Sequence, residues 1–128
     1  MGRPVLIDTN VVIDLFYRRM PRPGGAYVSE LINSGDFYLS AINYIELMGY
    51  PNDDEQQQYL EGVVNNATIL PISQIVVEKT IELKRIKRTK TPDAIVAATA
   101  LVYDLRLITR NTKDFGHLDL QLIDPHQL

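Results

Sequence analysis

Four acidic side chains stand where metal-assisted chemistry would need them, at the ends of predicted elements or beside an apolar helix face. Asp8 follows Val5-Leu6-Ile7, an apolar run typical of a fully buried strand. Ligands and catalytic groups collect at the carboxyl ends of strands in α/β folds. Clustered carboxylates raise one another's pKa, so a fold keeps them together only when a cation offsets their charge. The four acids are Asp8, Glu46, Asp93 and Asp114.

Three of these acids also have an ordinary structural interpretation. Asp93 lies in the first turn of a predicted helix, where an acid commonly just stabilises the helix N-terminus. Glu46 borders an apolar stripe that includes Ile42 and Ile45, where burying an unpaired glutamate is costly, but from the edge of the stripe its carboxylate can also reach water. Asp114 taken alone is typical of a solvated acid, two residues into a short turn or helix. The chemical interpretation therefore depends on the four acids converging.

The available ligand types restrict the cation. The chain has no cysteine and only two histidines, His117 and His126, to which no role is assigned. Oxygen ligands would then hold Mg²⁺ or Mn²⁺, which can activate water for phosphodiester cleavage. Neutral polar side chains near the acids would orient carboxylates, water or phosphate. These supporting residues are Thr9, Asn10, Thr109 and Asn111.

A basic segment precedes Asp93 and suits a polyanionic substrate such as RNA, whose phosphates need neutralising contacts. Basic residues are also common in the last turn of a helix, where they complement the helix dipole. Both interpretations stay open for this segment. Its cationic residues are Lys84, Arg85, Lys87, Arg88 and Lys90.

Strands alternate with helices along the chain, which predicts a three-layer α/β/α domain with a mostly parallel central sheet. Leu6-Ile7-Asp8 and Leu107-Ile108-Thr109 are similar apolar strands that end in polar residues. If the two strands are parallel, their polar ends meet at one edge. Residues 20–25 read as a loop, Thr91 as a helix N-cap, and Asp14 as solvated or structural. Strands are predicted at 3–8, 37–39, 67–70, 107–108 and 120–123, and helices at 10–19, 26–33, 41–48, 55–64, 74–87 and 92–102.

Composition and charge limit the number of domains, the kind of surface and the location that the chain can have. With 128 residues, 45% hydrophobic and 23% charged, the chain can bury the core of one domain. A net charge of −3 excludes a generally basic surface but permits a local basic patch. No apolar run approaches the roughly 20 residues of a membrane span. No signal peptide is recognisable, so the predicted location is the cytoplasm, without a membrane.

Four segments, in this order and spacing, resemble a PIN domain, and more narrowly the VapC-type ribonuclease toxins of prokaryotic toxin–antitoxin pairs. The resemblance covers nearly the whole chain and implies that residues 1–128 form a single PIN domain. The segments are Leu6-Ile7-Asp8-Thr9-Asn10-Val11-Val12-Ile13-Asp14-Leu15, and those at 40–49, 91–101 and 107–115.

By this resemblance Asp8, Glu46, Asp93 and Asp114 match the acidic quartet of the family, which binds Mg²⁺ or Mn²⁺. Asn10, Thr109 and Asn111 match its polar site positions. Some PIN proteins carry an acid where this chain has Asn111, so the fourth acidic role depends on Asp114. The family implies a metal-dependent endoribonuclease, a homodimer and a cognate VapB-like antitoxin that covers the site.

Two alternatives remain at this stage. A phosphatase of the aspartyl-phosphate type would use Asp8 as nucleophile, but such enzymes want a second Asp where this chain has Asn10. A non-catalytic PIN-like module would bind a partner only, and an intact acidic quartet counts against it.

Overall fold

A five-stranded, all-parallel sheet forms the centre of residues 3–128, the part of the chain that the computed structural model describes. Residues 1 and 2, which the predicted domain includes, lie outside the described part. The sheet order is β3-β2-β1-β4-β5, which confirms the predicted parallel α/β architecture. The strands are β1 (Val5–Ile7), β2 (Tyr38–Ser40), β3 (Thr68–Leu70), β4 (Arg106–Ile108) and β5 (Leu122–Ile123).

Helices cover both faces of the sheet, and successive residues of β1 point to opposite faces. Val5 and Ile7 pack into a core with the helices at 9–16, 22–34 and 54–66, whereas Leu6 packs into a second core with the helices at 74–86 and 91–102. No helix within residues 3–128 is long and apolar enough to cross a membrane. The helices are α1 (Thr9–Phe16), α2 (Arg22–Ser34), α3 (Ala41–Met48), α4 (Asp54–Asn66), α5 (Gln74–Ile86), α6 (Thr91–Val102) and α7 (Thr112–Phe115), followed by a C-terminal 3-10 helix (Pro125–Gln127).

Side-chain caps fix where several helices begin. Ser40 and Ser73 accept hydrogen bonds from backbone amides at the starts of α3 and α5, as their sequence context predicts. Asp53 does the same for α4. Thr91 was expected to cap α6, but Lys90 occupies the N-cap and Thr91 is the first helical residue. Asp93 remains in the first turn despite this shift of one residue.

The predicted loop at 20–25 is wrong over most of its length, because α2 already begins at Arg22. Pro23 is tolerated there, since the first turn of a helix has no internal partner for its missing amide hydrogen. Gly24 is buried, and a Cβ at this position would lie 1.7 Å from the carbonyl oxygen of Pro125. Gly24 therefore serves close helix packing rather than a turn.

The strand order places the polar strand ends where an open α/β sheet binds ligands. The chain runs from β1 outward to β2 and β3 on one side and then crosses back to β4 and β5 on the other side of β1, so the crevice between β1 and β4 is a topological switch point. β1 pairs with β4 in the register Ile7 to Ile108. Asp8 and Thr109, which follow these strands, are therefore neighbours at the carboxyl edge.

Candidate active site

A cleft of about 470 Å³ opens at this carboxyl edge. Three of the four predicted acids line it, together with two of the predicted supporting residues and part of the basic segment. The sequence positions involved come from α1, α3, the α5–α6 connection, α6 and the segment after β4. The lining residues are Asn10, Glu46, Lys87, Arg88, Thr89, Lys90, Pro92, Asp93, Asn111 and Asp114.

Asp8 does not itself line the cleft and is the most buried of the four acids, with 8% of its surface exposed. Its Oδ1 accepts a hydrogen bond of 2.9 Å from the Thr9 amide, and its Oδ2 accepts one of 3.0 Å from the Thr109 hydroxyl. Burial is the main cause that raises the pKa of Asp8 to about 6. Charge repulsion by Asp93 and Glu46 contributes to this rise, whereas the two hydrogen bonds oppose it. Asp8 is therefore a buried carboxyl group repelled by the negative charges of two neighbouring acids.

Glu46 is held in place by a chain of side-chain hydrogen bonds. The Thr9 hydroxyl donates to Glu46 Oε1 at 2.7 Å, and Asn43 Nδ2 donates to the Thr9 hydroxyl oxygen at 3.0 Å. Asn43 Oδ1 in turn accepts from the Ser40 amide at 2.9 Å. Asn43 is fully buried and was missed by the sequence analysis. Its position three residues after Ser40, at the second half of a capping box, was the available signal.

Asp93 and Asp114 complete the acidic side of the cleft. Burial raises the pKa of Asp93, and the negative charges of Asp114 and Glu46 raise it further, while Lys90 lowers it. Asp114 lies in α7, the short helix predicted after the fourth strand. The structure thus brings Glu46, Asp93 and Asp114 within electrostatic reach of one another, although they are far apart in sequence.

Of the four predicted polar residues, two hold the acids in place and two line the cleft. Thr109 is fully buried, and its hydroxyl both donates to Asp8 and accepts a 3.0 Å hydrogen bond from the Asn111 amide. Thr9 connects Asp8 to Glu46, because its amide binds the first and its hydroxyl the second. Asn10 and Asn111 line the cleft itself.

Only part of the basic segment faces this cleft. Lys87, Arg88 and Lys90 line it, whereas Arg85 lies on the exposed surface of α5 outside the lining. Lys84 donates to the Thr89 carbonyl at 2.8 Å and to the Thr91 hydroxyl at 3.0 Å. These bonds tie the end of α5 to the start of α6, so Lys84 shapes the segment rather than extending into the cleft.

The residues present fit a hard divalent cation. Within residues 3–128, no group of three or more His, Asp or Glu side chains is arranged so that it could hold a metal ion by itself. The donors around the cleft are all oxygens, which Mg²⁺ and Mn²⁺ prefer, and these ions bind through few carboxylates while keeping several waters. Burial is the main cause of the raised pKa values of Asp8 and Asp93, and the neighbouring carboxylates add to them by charge repulsion that such a cation would offset.

Asp14 differs from its sequence-based interpretation. It is 1% exposed, so the solvated alternative is wrong and the structural one holds. Arg110 contacts its Oδ2 at 2.8 Å, and the His126 Nε2 lies 3.6 Å from the same oxygen. Neither partner was foreseen, because they come from segments distant in sequence.

Comparison with solved structures identifies close structural relatives. A chain of a toxin–antitoxin complex from Klebsiella pneumoniae is 34% identical, with a TM-score of 0.77 over 94% of this chain and 97% of that one. FitAcB from Neisseria gonorrhoeae matches at 25% identity and a TM-score of 0.76, over 97% and 99% of the two chains. VapBC-1 from nontypeable Haemophilus influenzae matches at 26% identity and 0.75, over 94% and 97%. No curated protein matches in sequence.

Fold and cleft together define a doubly wound α/β protein with an acidic site at its topological switch point. The model of the PIN domain family matches residues 5–120, nearly the whole chain. The chain therefore belongs to the PIN domain family.

Proposed function

We propose that this protein is a divalent-metal-dependent endoribonuclease, acting as the toxin of a toxin–antitoxin pair. The observation that carries the proposal is the convergence of three carboxylates in one cleft with a fourth, the buried Asp8, which lies within electrostatic reach of Glu46 and Asp93 and has a raised pKa. Mutual repulsion between these carboxylates destabilises the folded site unless a cation binds. Basic side chains at the same opening, Lys87 and Arg88 among them, provide contacts for a polyanion.

Asp8, Glu46, Asp93 and Asp114 would hold Mg²⁺ or Mn²⁺ in this proposal. The bound ion supplies an activated water and stabilises the leaving oxygen of a phosphodiester. Thr109 and Thr9 hold the Asp8 carboxylate in one orientation, and Thr9 also fixes Glu46. Because these hydroxyls are themselves hydrogen-bonded, the carboxylates are oriented before the substrate arrives.

The biological setting is proposed from the relatives, since those above 25% identity include components of toxin–antitoxin complexes. A cognate VapB-like antitoxin would cover the site until release. We also propose a homodimer, for which exposed isoleucines at positions 75, 81 and 86 of α5 offer apolar surface. Residues 1–128 would act as one domain, in the cytoplasm where the RNA substrate is found.

The first test is metal-dependent cleavage by the purified protein. Single-stranded RNA should be cut with Mn²⁺ or Mg²⁺ and left intact with EDTA, and added Mn²⁺ should restore cleavage. Gel analysis of end-labelled RNA measures this directly. Binding of RNA with no cleavage under any metal condition would instead favour a non-catalytic PIN-like module. Trapping of a phosphorylated Asp8 would indicate phosphatase chemistry.

A second prediction concerns the basic residues at the cleft. Replacing Lys87 and Arg88 together with alanine should weaken RNA binding and flatten its salt dependence. The log–log slope should change by about 0.7 for each phosphate of a single strand that the two side chains neutralise. Fluorescence anisotropy in EDTA measures binding without cleavage.

Arg85→Ala is the matched control for this pair, because Arg85 is exposed in the last turn of α5, just before the pair, but does not line the cleft. Its replacement should leave the salt dependence of RNA binding nearly unchanged. Equal effects of the control and the double variant would contradict local phosphate binding at the cleft.

A further inference from the structure

Asp14 is a buried acid that the proposed reaction does not use, and three basic side chains surround it. Arg110 makes a 2.8 Å ion pair with Oδ2, and the Arg19 guanidinium lies 3.7 Å from Oδ1. His126 Nε2 lies 3.6 Å from Oδ2. Asp14 Oδ1 is buried without a hydrogen-bond partner within residues 3–128. Burying an ionised carboxylate costs desolvation free energy, which the contacts with basic side chains must offset.

The ion pair with Arg110 links Asp14 to the segment beside the candidate site. Arg110 lies between Thr109, which hydrogen-bonds Asp8, and Asn111, which lines the cleft. The ion pair therefore joins α1, the helix that begins beside Asp8, to the segment 109–111 that follows β4. Arg110 is itself 46% exposed, so without Asp14 its side chain would be free to turn toward water.

The C-terminal 3-10 helix supports the same contact from the other side. His126 belongs to this helix, and its own amide is capped by Asp124 at 2.9 Å. Pro125 of the helix packs directly against Gly24 of α2, too closely for any side chain at position 24. The Thr109 amide donates to the Ile123 carbonyl at 3.0 Å, which ties the C-terminal segment to the segment after β4. Asp14 is thus the point where α1, segment 109–111 and the C-terminal helix meet.

We propose that Asp14 is a positioning residue, which through Arg110 and with support from His126 holds segment 109–111 in the geometry that orients Asp8 and the wall of the cleft. The functional part of this proposal, an effect on metal binding, rests on the proposed metal-dependent activity. The structural part, the link between Asp14 and segment 109–111, depends only on the contacts described above. It gives the C-terminal helix, remote from the cleft opening, an influence on metal binding.

The test compares Asp14→Asn with Asp104→Asn. The control removes an Asp–Arg pair of similar length, 2.7 Å between Arg3 and Asp104, that is exposed and precedes β4 instead of following it. Two quantities are measured, namely hydrogen exchange of the Asn111 amide by NMR and Mn²⁺ affinity by titration calorimetry. Asp14→Asn should speed exchange at Asn111 about tenfold, the change expected when one hydrogen bond to a charged group is removed. It should weaken Mn²⁺ binding about tenfold, as for other partners behind metal ligands.

His126→Gln and Arg110→Lys should change both quantities in the same direction by smaller factors, and they decide the question if Asp14→Asn does not fold. A lower melting temperature with unchanged Asn111 exchange and unchanged Mn²⁺ affinity would reduce Asp14 to general stability and overturn the proposal. If the unaltered protein binds no Mn²⁺, the proposed function fails. The exchange rate at Asn111 then tests the positioning role by itself.

Discussion

Asp8→Asn is expected to lower Mn²⁺-dependent RNA cleavage by at least about 100-fold, because even partners behind metal ligands are worth 10–100-fold. The same substitution should stabilise the metal-free protein. Asp8 carries its charge at a buried position, where its pKa is raised from 3.8 to about 6. An asparagine keeps the shape of the side chain and removes the charge that burial disfavours.

The stability gain has a defined pH dependence. The folded protein binds the Asp8 proton more tightly than the unfolded chain, so this residue's contribution to the free energy of unfolding falls as pH rises from about 4 to about 6. Above that window the charged Asp8 costs about 3 kcal/mol by this relation. Asp93, whose pKa is also raised, adds to the loss in the same direction. Asp8→Asn should therefore be more stable than the unaltered protein at neutral pH and closest to it near pH 4.

Urea denaturation between pH 4 and pH 8, with and without Mn²⁺, measures these effects. Mn²⁺ should stabilise the unaltered protein through preferential binding to the folded state and stabilise Asp8→Asn much less. Asp119→Asn serves as control, since Asp119 is an exposed aspartate that precedes β5 and lies outside the cleft. If Asp8→Asn is less stable than the unaltered protein at neutral pH, the charge of the buried Asp8 does not destabilise the metal-free protein and this account is contradicted.

Adjacent glycines in α2 should respond to alanine with opposite signs. Gly24→Ala places a methyl group 1.7 Å from the Pro125 carbonyl oxygen, a backbone atom that can move only with the C-terminal helix. Overpacking of this kind should lower the free energy of unfolding by about 1–3 kcal/mol. At Gly25 the added methyl group meets only the Leu15 side chain, at an ordinary 4.0 Å.

Gly25→Ala should therefore raise the free energy of unfolding by up to about 1 kcal/mol, because alanine loses less backbone freedom than glycine when a helix forms. Denaturant titration of both variants gives the two values directly. Gly24→Ala should also release His126 from Asp14, so it should reproduce part of the faster exchange at Asn111 expected for His126→Gln. Destabilisation by both alanines to the same extent would contradict the account in which the Pro125 contact distinguishes Gly24 from Gly25.

The sequence indicated those features that depend on local patterns. Val5-Leu6-Ile7 and Leu107-Ile108 predicted buried strands, and their similar polar ends predicted that Asp8 and Thr109 would meet. The structure joins them by a 3.0 Å hydrogen bond. Ser40 and Ser73 predicted helix starts because capping is a local interaction.

Features that depend on distant contacts could not be predicted in this way. Gly24 lies in the first turn of α2 instead of a loop, where it packs closely against Pro125, about 100 positions away. Asp14 is buried because Arg110 and His126 reach it from the other end of the chain. Ile45 was expected on the apolar stripe of α3 and is 61% exposed. The helix instead turns Asn43 and Leu47 inward, and Asn43 is what fixes Thr9 and Glu46.

The pairing of β1 with β4 has a consequence for the order of events during protein synthesis. The hydrogen bond from Thr109 to Asp8 joins residues 101 positions apart, and Asp114 comes later still. A nascent chain whose residues 106–114 are still inside the ribosome lacks Asp114, and it also lacks the strand and the Thr109 hydroxyl that orient Asp8. At about 5–20 residues per second, synthesis from residue 8 to residue 114 takes roughly 5–20 seconds. Shorter nascent chains therefore carry no assembled site during this time.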